Sequence, residues 1–168
     1  MNNIIYRQAE MSDLPEIWSL VNSAVHEMEK NGIYQWDELY PIPEDFSEDI
    51  SKGELNIGTI DGKIAVIYAI NQSCDEEYRQ GKWQYPNEPF EVIHRLCVSP
   101  EFQRMGIAAK TVSHIEEQLR EQGISVIRLD VYSKNPYALR LYEKQGFQKT
   151  GMVKWRKGDF YLMEKYIG

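Results

Sequence analysis

The chain has 168 residues, 42% of them hydrophobic and 12% aromatic, which suits a globular domain with a sizeable core and excludes a disordered polar chain. Its net charge of −7 argues against a general nucleic-acid binder, which would carry a basic stripe. No apolar run approaches the roughly 20 residues of a membrane span. The start, Met1-Asn2-Asn3-Ile4-Ile5-Tyr6-Arg7, lacks the basic and long apolar regions of a signal peptide, and Cys74 and Cys97 stand in no metal or redox spacing. These traits predict a cytoplasmic protein with reduced cysteines, no metal, and no membrane or nucleic-acid partner.

In chain order, Ile4–Arg7 reads as a short strand. Asp13, Pro15 and Glu16 predict a helix start with a capping box. Leu14, Ile17, Val21, Ala24, Val25 and Met28 recur at helical spacing to about Lys30, where Asn31-Gly32 stops the helix. Residues 33–41 are aromatic and acidic. Tyr34, Trp36 and Tyr40 offer an apolar wall and Asp37 and Glu38 two charges for an ammonium group; a loop whose aromatics pack on the core fits equally well. A second helix starts near Pro43 with Phe46 and Ile50 on one side.

Glu54–Ile60 and Lys63–Ile70 read as a hairpin joined by Asp61-Gly62. Residues 71–89 are polar and irregular, a length that suits a lid or a mobile segment. Phe90–Val98 is the central strand. A turn bearing Pro100 follows, and Gln103–Ala108 opens a helix with the stripe Ala108, Val112, Ile115 and Leu119, closed by Gly123. A strand feeding a helix in this way leaves first-turn N–H groups without intrahelical partners, at the positive end of the helix dipole. That is an anion site, and Gly106 and Ala108 have too little bulk to keep a diphosphate from the backbone. Arg104 and Lys110 offset the negative field of the chain. A nucleotide P-loop is excluded, because Arg104 and Ala109 occupy its two glycine positions ahead of Lys110-Thr111, and no G-x-G-x-x-G run exists.

Val126–Val131 is a buried strand, parallel to the central one by a right-handed crossover. Asn135 is a natural N-cap with Pro136 at the first helical position and Gly146 as the stop. Asn135 and Tyr142, seven residues apart, share a face of that helix. Met152–Arg156 and Phe160–Ile167 form a closing hairpin around Lys157-Gly158-Asp159.

Two of these stretches carry a family pattern. Gln103-x-x-Gly106-x-Ala108 resembles the Gln/Arg-x-x-Gly-x-Gly/Ala loop of the GCN5-related N-acetyltransferases (GNAT), which binds the acetyl-CoA pyrophosphate. Asn135 through Phe147 resembles their N-x-x-A-x-x-x-Y-x-x-x-G-F segment. The resemblance is clear over about residues 90–150; over 1–89 it rests on element order. It implies a single α/β domain over residues 1–168: a twisted mixed sheet, helices on both faces and splayed central strands. The acceptor side falls mainly in 1–89 and the acetyl-CoA side mainly in 90–150.

The implied reaction moves an acetyl group from acetyl-CoA to a primary amine by direct attack in a ternary complex. By the same resemblance Gln103, Arg104, Met105, Gly106, Ile107, Ala108 and Ala109 hold the diphosphate. The backbone of Leu96, Cys97 and Val98 meets the thioester, Asn135 the pantetheine arm, and Tyr142 the sulfur. Tyr34 and Trp36 are candidate acceptor contacts. Glu91 and His94 are candidate bases, because both lie on the central strand; Cys97 as a covalent nucleophile is disfavoured, since strand cysteines are usually core. The acceptor is a small-molecule or peptide amine, and homodimerisation is left open. A transferase for another acyl-CoA and a non-catalytic acyl-CoA-binding regulatory module are the alternatives.

Overall fold

In the computed structural model, which describes residues 3–168, strands and helices follow the order β1 (Ile5–Gln8), α1 (Leu14–Lys30), α2 (Pro43–Ser51), β2 (Leu55–Ile60), β3 (Lys63–Asn71), β4 (Phe90–Val98), α3 (Ile107–Glu121), β5 (Val126–Tyr132), α4 (Pro136–Lys144), β6 (Gln148–Trp155) and β7 (Gly158–Tyr166). The strands form one open sheet in the order β1-β2-β3-β4-β5-β7-β6. It is mixed: β4 and β5 run parallel, while β1–β2, β2–β3, β5–β7 and β6–β7 are antiparallel. Asp61 and Gly62 both take left-handed backbone angles, as the tight β2–β3 turn requires.

The chain forms two compact units. One comprises the residues through Ile70 together with His94–Thr111; the other comprises Asn71–Ile93 and Val112–Gly168. The first unit holds two hydrophobic clusters. Ile17, Leu20, Val21 and Ala24 of α1 and Phe46 of α2 bury against Leu55, Ile57, Ile67, Ala69 and Cys97. Ala65 and Val66, adjacent on β3 where a register shift against Gly58 and Thr59 interrupts the alternation, join Ile60, Leu96, Val98 and Ile107 of α3. Helices therefore cover both faces of the sheet. In the second unit, Tyr78, Val92, Val153 and Leu162 form a further cluster flanked by Trp83, Phe90, Trp155 and Phe160.

Three local expectations need correction. Asp13 and Glu16 make no capping box for α1: Asp13 accepts from the Glu10 N–H (2.7 Å) and the Arg7 guanidinium (2.8 and 2.9 Å), and Glu16 accepts from the Ile64 N–H (2.7 Å). Helix α3 begins at Ile107 and not at Gln103, because Arg104 (φ 65°) and Gly106 (φ 73°) are left-handed and cannot lie in a right-handed helix. The last hairpin is longer than the reading allowed: β6 starts at Gln148 and β7 at Gly158. A register shift between Lys149 and Gly151 blurs the alternation that would have revealed the start of β6.

Within residues 71–89, the stretch 78–85 is tied to the rest of the second unit. Trp83 donates to the Tyr78 carbonyl (2.8 Å), and Lys82 N–H donates to the Thr150 carbonyl (2.7 Å). Tyr78, itself buried, donates to Asp130 (2.7 Å). The Gln84 and Tyr85 amides bond the buried Glu164 carboxylate (2.8 and 3.3 Å). Arg128 is held between the Trp83 and Phe90 rings, 4.5 and 4.0 Å from their centroids.

Candidate functional site

The anion-site loop belongs to the first unit. Its entry is fixed by the Ser99 N–H, which donates to the Ala65 carbonyl (2.8 Å), and by a short 3₁₀ turn over Pro100–Phe102. Gln103, Arg104, Met105 and Gly106 are all exposed, so no side chain of the four is spent on packing. Two left-handed residues, Arg104 and Gly106, flank Met105. Such changes of hand turn neighbouring backbone N–H groups toward one concavity, which suits an anion. The Lys110 N–H closes onto the Gly106 carbonyl (3.1 Å) as the first helical bond. The earlier amides, Ile107 to Ala109, belong to the turn that a helix cannot satisfy internally. A β-carbon at Gly106 would meet open space, so the glycine is required by its φ angle and not by crowding.

The helix behind this loop is anchored. Ile107 is buried, and the Thr111 hydroxyl, also buried, donates to the Ile107 carbonyl (2.8 Å) and shares a 3.0 Å hydrogen bond with the Tyr6 hydroxyl of β1. The first turn of α3 is thereby set against the sheet, directly after the exposed residues Gln103–Gly106.

Strand β4 carries the other first-unit candidates. The alternation of its side chains is broken at Arg95, a residue with a β-carbon and φ of 52° in the middle of the strand. Past that kink Leu96 and Val98 pack with Ile107, and Cys97 packs with the α1–α2 cluster. Burial pushes the Cys97 thiol up to about 12, so the thiolate is not accessible at neutral pH. His94, half-buried, also lies on this part of the strand. Of the candidate acceptor contacts, Tyr34 is 55% exposed, whereas Trp36 packs partly against the α1–α2 cluster. The turn after them is closed by reciprocal backbone bonds between Asp37 and Tyr40 (2.9 and 3.3 Å).

A buried cluster centres on Arg95. The Arg95 guanidinium donates to Asp49 Oδ2 from Nε (2.9 Å) and Nη2 (2.5 Å) and to the Tyr40 hydroxyl from Nη1 (3.0 Å). Burial pushes the Asp49 carboxyl up, and Arg95 pulls it back. A charged residue in a strand and an aspartate on an acidic helix carry no spacing signal, since they lie 46 residues apart.

In the second unit stand Glu91, Asn135 and Tyr142. Glu91, half-buried, sits opposite Ile127 in the parallel ladder, which registers Phe90–Val92 with Val126–Arg128. Asn135 caps α4 as its spacing predicts: Oδ1 accepts from the Ala138 N–H at 3.1 Å. Tyr142 on the same helix is 8% exposed, and its ring meets Phe147 edge-on at 5.5 Å. Burial, with a smaller push from Asp130, raises its phenol above the ordinary tyrosine value. It therefore stays a proton donor throughout neutral and mildly alkaline pH.

The described residues contain no group of three or more His, Cys, Asp or Glu side chains placed to hold a metal ion, and no helix among them is long and apolar enough to cross a membrane.

Residues 33–147 match the acetyltransferase (GNAT) family. The chain belongs to that family. It is an acyl-CoA-dependent N-acetyltransferase, and acetyl-CoA is the donor of the family. Among relatives of this GNAT protein is the [ribosomal protein bS18]-alanine N-acetyltransferase of Escherichia coli K12, 26% identical over 142 residues that cover 84% of this chain and 78% of that one. A GNAT acetyltransferase from Streptococcus agalactiae has a solved structure with a TM-score of 0.86 at 27% identity, covering 97% of this chain and 95% of its own. A putative acetyltransferase from Salmonella typhimurium, solved with its cofactor acetyl-CoA, superposes with a TM-score of 0.70 at 18% identity over 99% and 95% of the two chains, a likeness of fold alone.

Proposed function

We propose that this GNAT protein transfers an acetyl group from acetyl-CoA to a primary amine by direct attack in a ternary complex. The observation that carries the reading is the left-handed pair Arg104 and Gly106 feeding the first-turn amides of α3. Together with Gln103, Met105, Ile107, Ala108 and Ala109 they form the diphosphate cradle. Hydrogen bonds to a charged acceptor are worth about 1.5–3 kcal/mol each, so a few backbone donors suffice without a dedicated lysine. Asn135 meets the pantetheine arm.

The amine must arrive without its proton, because an ammonium ion has no lone pair. Glu91 and His94 are the candidate bases. The nitrogen adds to the thioester carbonyl, and its oxyanion is received by backbone N–H groups of Leu96, Cys97 or Val98. The added nitrogen gives up its surplus proton to the candidate base or to water, the C–S bond breaks, and coenzyme A leaves as a thiolate that accepts a hydrogen bond from the Tyr142 hydroxyl. The phenol, held above its ordinary pKa by burial, is protonated when that moment comes. The acceptor is a small-molecule or peptide amine; the name of the E. coli relative supports a peptide N-terminus as one member of that class. The chain acts as one functional domain, with the acceptor mainly on residues 1–89.

The test is thiol release from acetyl-CoA with a panel of peptides and small amines, and identification of the acetylated product by mass spectrometry. Tyr142→Phe keeps the ring packing and is expected to lower kcat by roughly 10²–10⁴ with acetyl-CoA affinity and Tm little changed. Tight acetyl-CoA binding with no turnover on any amine would instead mark a binding module. An unchanged kcat would remove Tyr142 from the mechanism.

A further inference from the structure

Arg95 is the one described residue with a β-carbon that takes a left-handed angle inside a strand; Asp61 and Arg104, also left-handed, lie in turns. Side chains with a β-carbon hold that conformation only where their surroundings enforce it. The surroundings here are specific. Two nitrogens of the guanidinium converge on one oxygen of Asp49, and the third reaches the Tyr40 hydroxyl. The ion pair is enclosed, with 14% of the Arg95 side chain and 8% of the Asp49 side chain exposed. Tyr40 is 39% exposed, and its backbone closes the 37–40 turn onto Asp37. Leu39 N–H adds a bond to the Asp37 carboxylate (3.0 Å), so the turn is cross-linked within itself.

One side chain thus joins three things: the kink in β4, helix α2, and the turn that follows Tyr34 and Trp36. We propose that Arg95 is a positioning residue, which sets the backbone of Leu96–Val98 and the 37–40 turn against each other through its bonds to Asp49 and Tyr40. Its meaning for catalysis rests on the acetyl-transfer reading above, in which that backbone receives the thioester and that turn borders the acceptor. A displaced turn would then reach the reacting carbonyl through Arg95, with no acceptor contact to the strand.

Hydrogen exchange, read by mass spectrometry on the full chain, tests the coupling, because it reports local opening segment by segment. Tyr40→Phe removes one hydroxyl from a half-exposed turn residue. Exchange is expected to quicken by roughly fivefold, the weight of about one hydrogen bond, both in residues 37–41 and in 95–99. Arg95→Gly keeps a backbone at ease with positive φ and removes the clamp, so it should quicken both segments and weaken acetyl-CoA binding several-fold by calorimetry. Arg95→Lys, which keeps the charge but not the fork, should restore acetyl-CoA affinity only in part. Acceleration confined to residues 37–41 in Tyr40→Phe would overturn the proposal, as would Arg95→Gly leaving 95–99 at the wild-type rate. Both segments quickening in the variants, when the wild-type protein binds no acetyl-CoA, would sink the acetyl-transfer reading and leave the clamp standing.

Discussion

The loop 99–106 and the segment 71–89 are both irregular, and they are held in opposite ways. The loop is fixed at its ends, by the Ser99 amide on Ala65 and by Ile107 and Thr111 at the start of α3, while Gln103 to Gly106 stay exposed. What it offers is backbone. The segment 71–89 is fixed over 78–85 by inward contacts: Tyr78 on Asp130, Trp83 beside Arg128, and the Gln84 and Tyr85 amides on Glu164. A segment that is to grip an anion must keep its amides at the surface; one that completes a core spends its polar groups inward.

The sharpest way to break that contrast is Arg128→Ala. It leaves Glu164, 3% exposed, without its cation at 3.9 Å and removes the guanidinium from two aromatic faces. Removing one member of a buried pair costs about 3–5 kcal/mol, so Tm should fall by roughly 10 °C in a calorimetric scan. The acetyl-CoA affinity of the folded fraction should stay at the wild-type value; a parallel loss would show that the segment takes part in binding.

Gly106→Glu is the converse. At a φ of 73° the new side chain carries a strain of about 1–2 kcal/mol, yet its β-carbon meets open space, so the fold survives. Acetyl-CoA affinity by calorimetry should drop by about 100-fold or more, the equivalent of losing two charged hydrogen bonds. Unchanged affinity would remove the basis for the diphosphate cradle.

Tyr78→Phe sharpens the account of the inward segment. It deletes one hydrogen bond to a carboxylate and should cost about 1.5–3 kcal/mol in denaturant unfolding, with acetyl-CoA binding unaffected.

The smallest effect is at the surface. The Arg7 guanidinium holds the Asp13 carboxyl below the usual carboxylate range. A depressed folded pKa adds stability above the unfolded value of about 4, and that stability is lost as pH falls through the lower folded value. Solvent screens the pair, so Asp13→Asn should remove less than ~1 kcal/mol at pH 7 and flatten the acid side of the stability profile by that amount.

How far the sequence could be read follows the same division. The cap by Asn135, the stop at Gly146 and the β4–loop–α3 passage depend on residues within a few positions of one another, so spacing reveals them. The bonds of Arg95 to Asp49 and Tyr40 cross 46 and 55 residues, and Arg128 to Glu164 joins two strands of a sheet. No periodicity carries such pairs. Asp13 and Glu16 show the hazard in the other direction: their spacing fits a capping box, but Arg7 and the Ile64 amide are better partners in three dimensions. The candidate acceptor contacts were the least legible, because an aromatic run such as Tyr34–Tyr40 has the same composition whether it faces a ligand or, as Trp36 partly does, the core.

The division of the chain into two discontinuous units bears on its birth at the ribosome. The first unit waits for His94–Thr111, which emerge only after Asn71–Ile93 of the other unit have been made. Leu55, Ile57, Ile67 and Ala69 face a cluster that lacks Cys97 during that interval. At ordinary synthesis rates the delay is roughly one to five seconds. For that time a hairpin of largely apolar strands is out in the cell with one flank unfinished, and nascent-chain chaperones have their clearest reason to bind this polypeptide there.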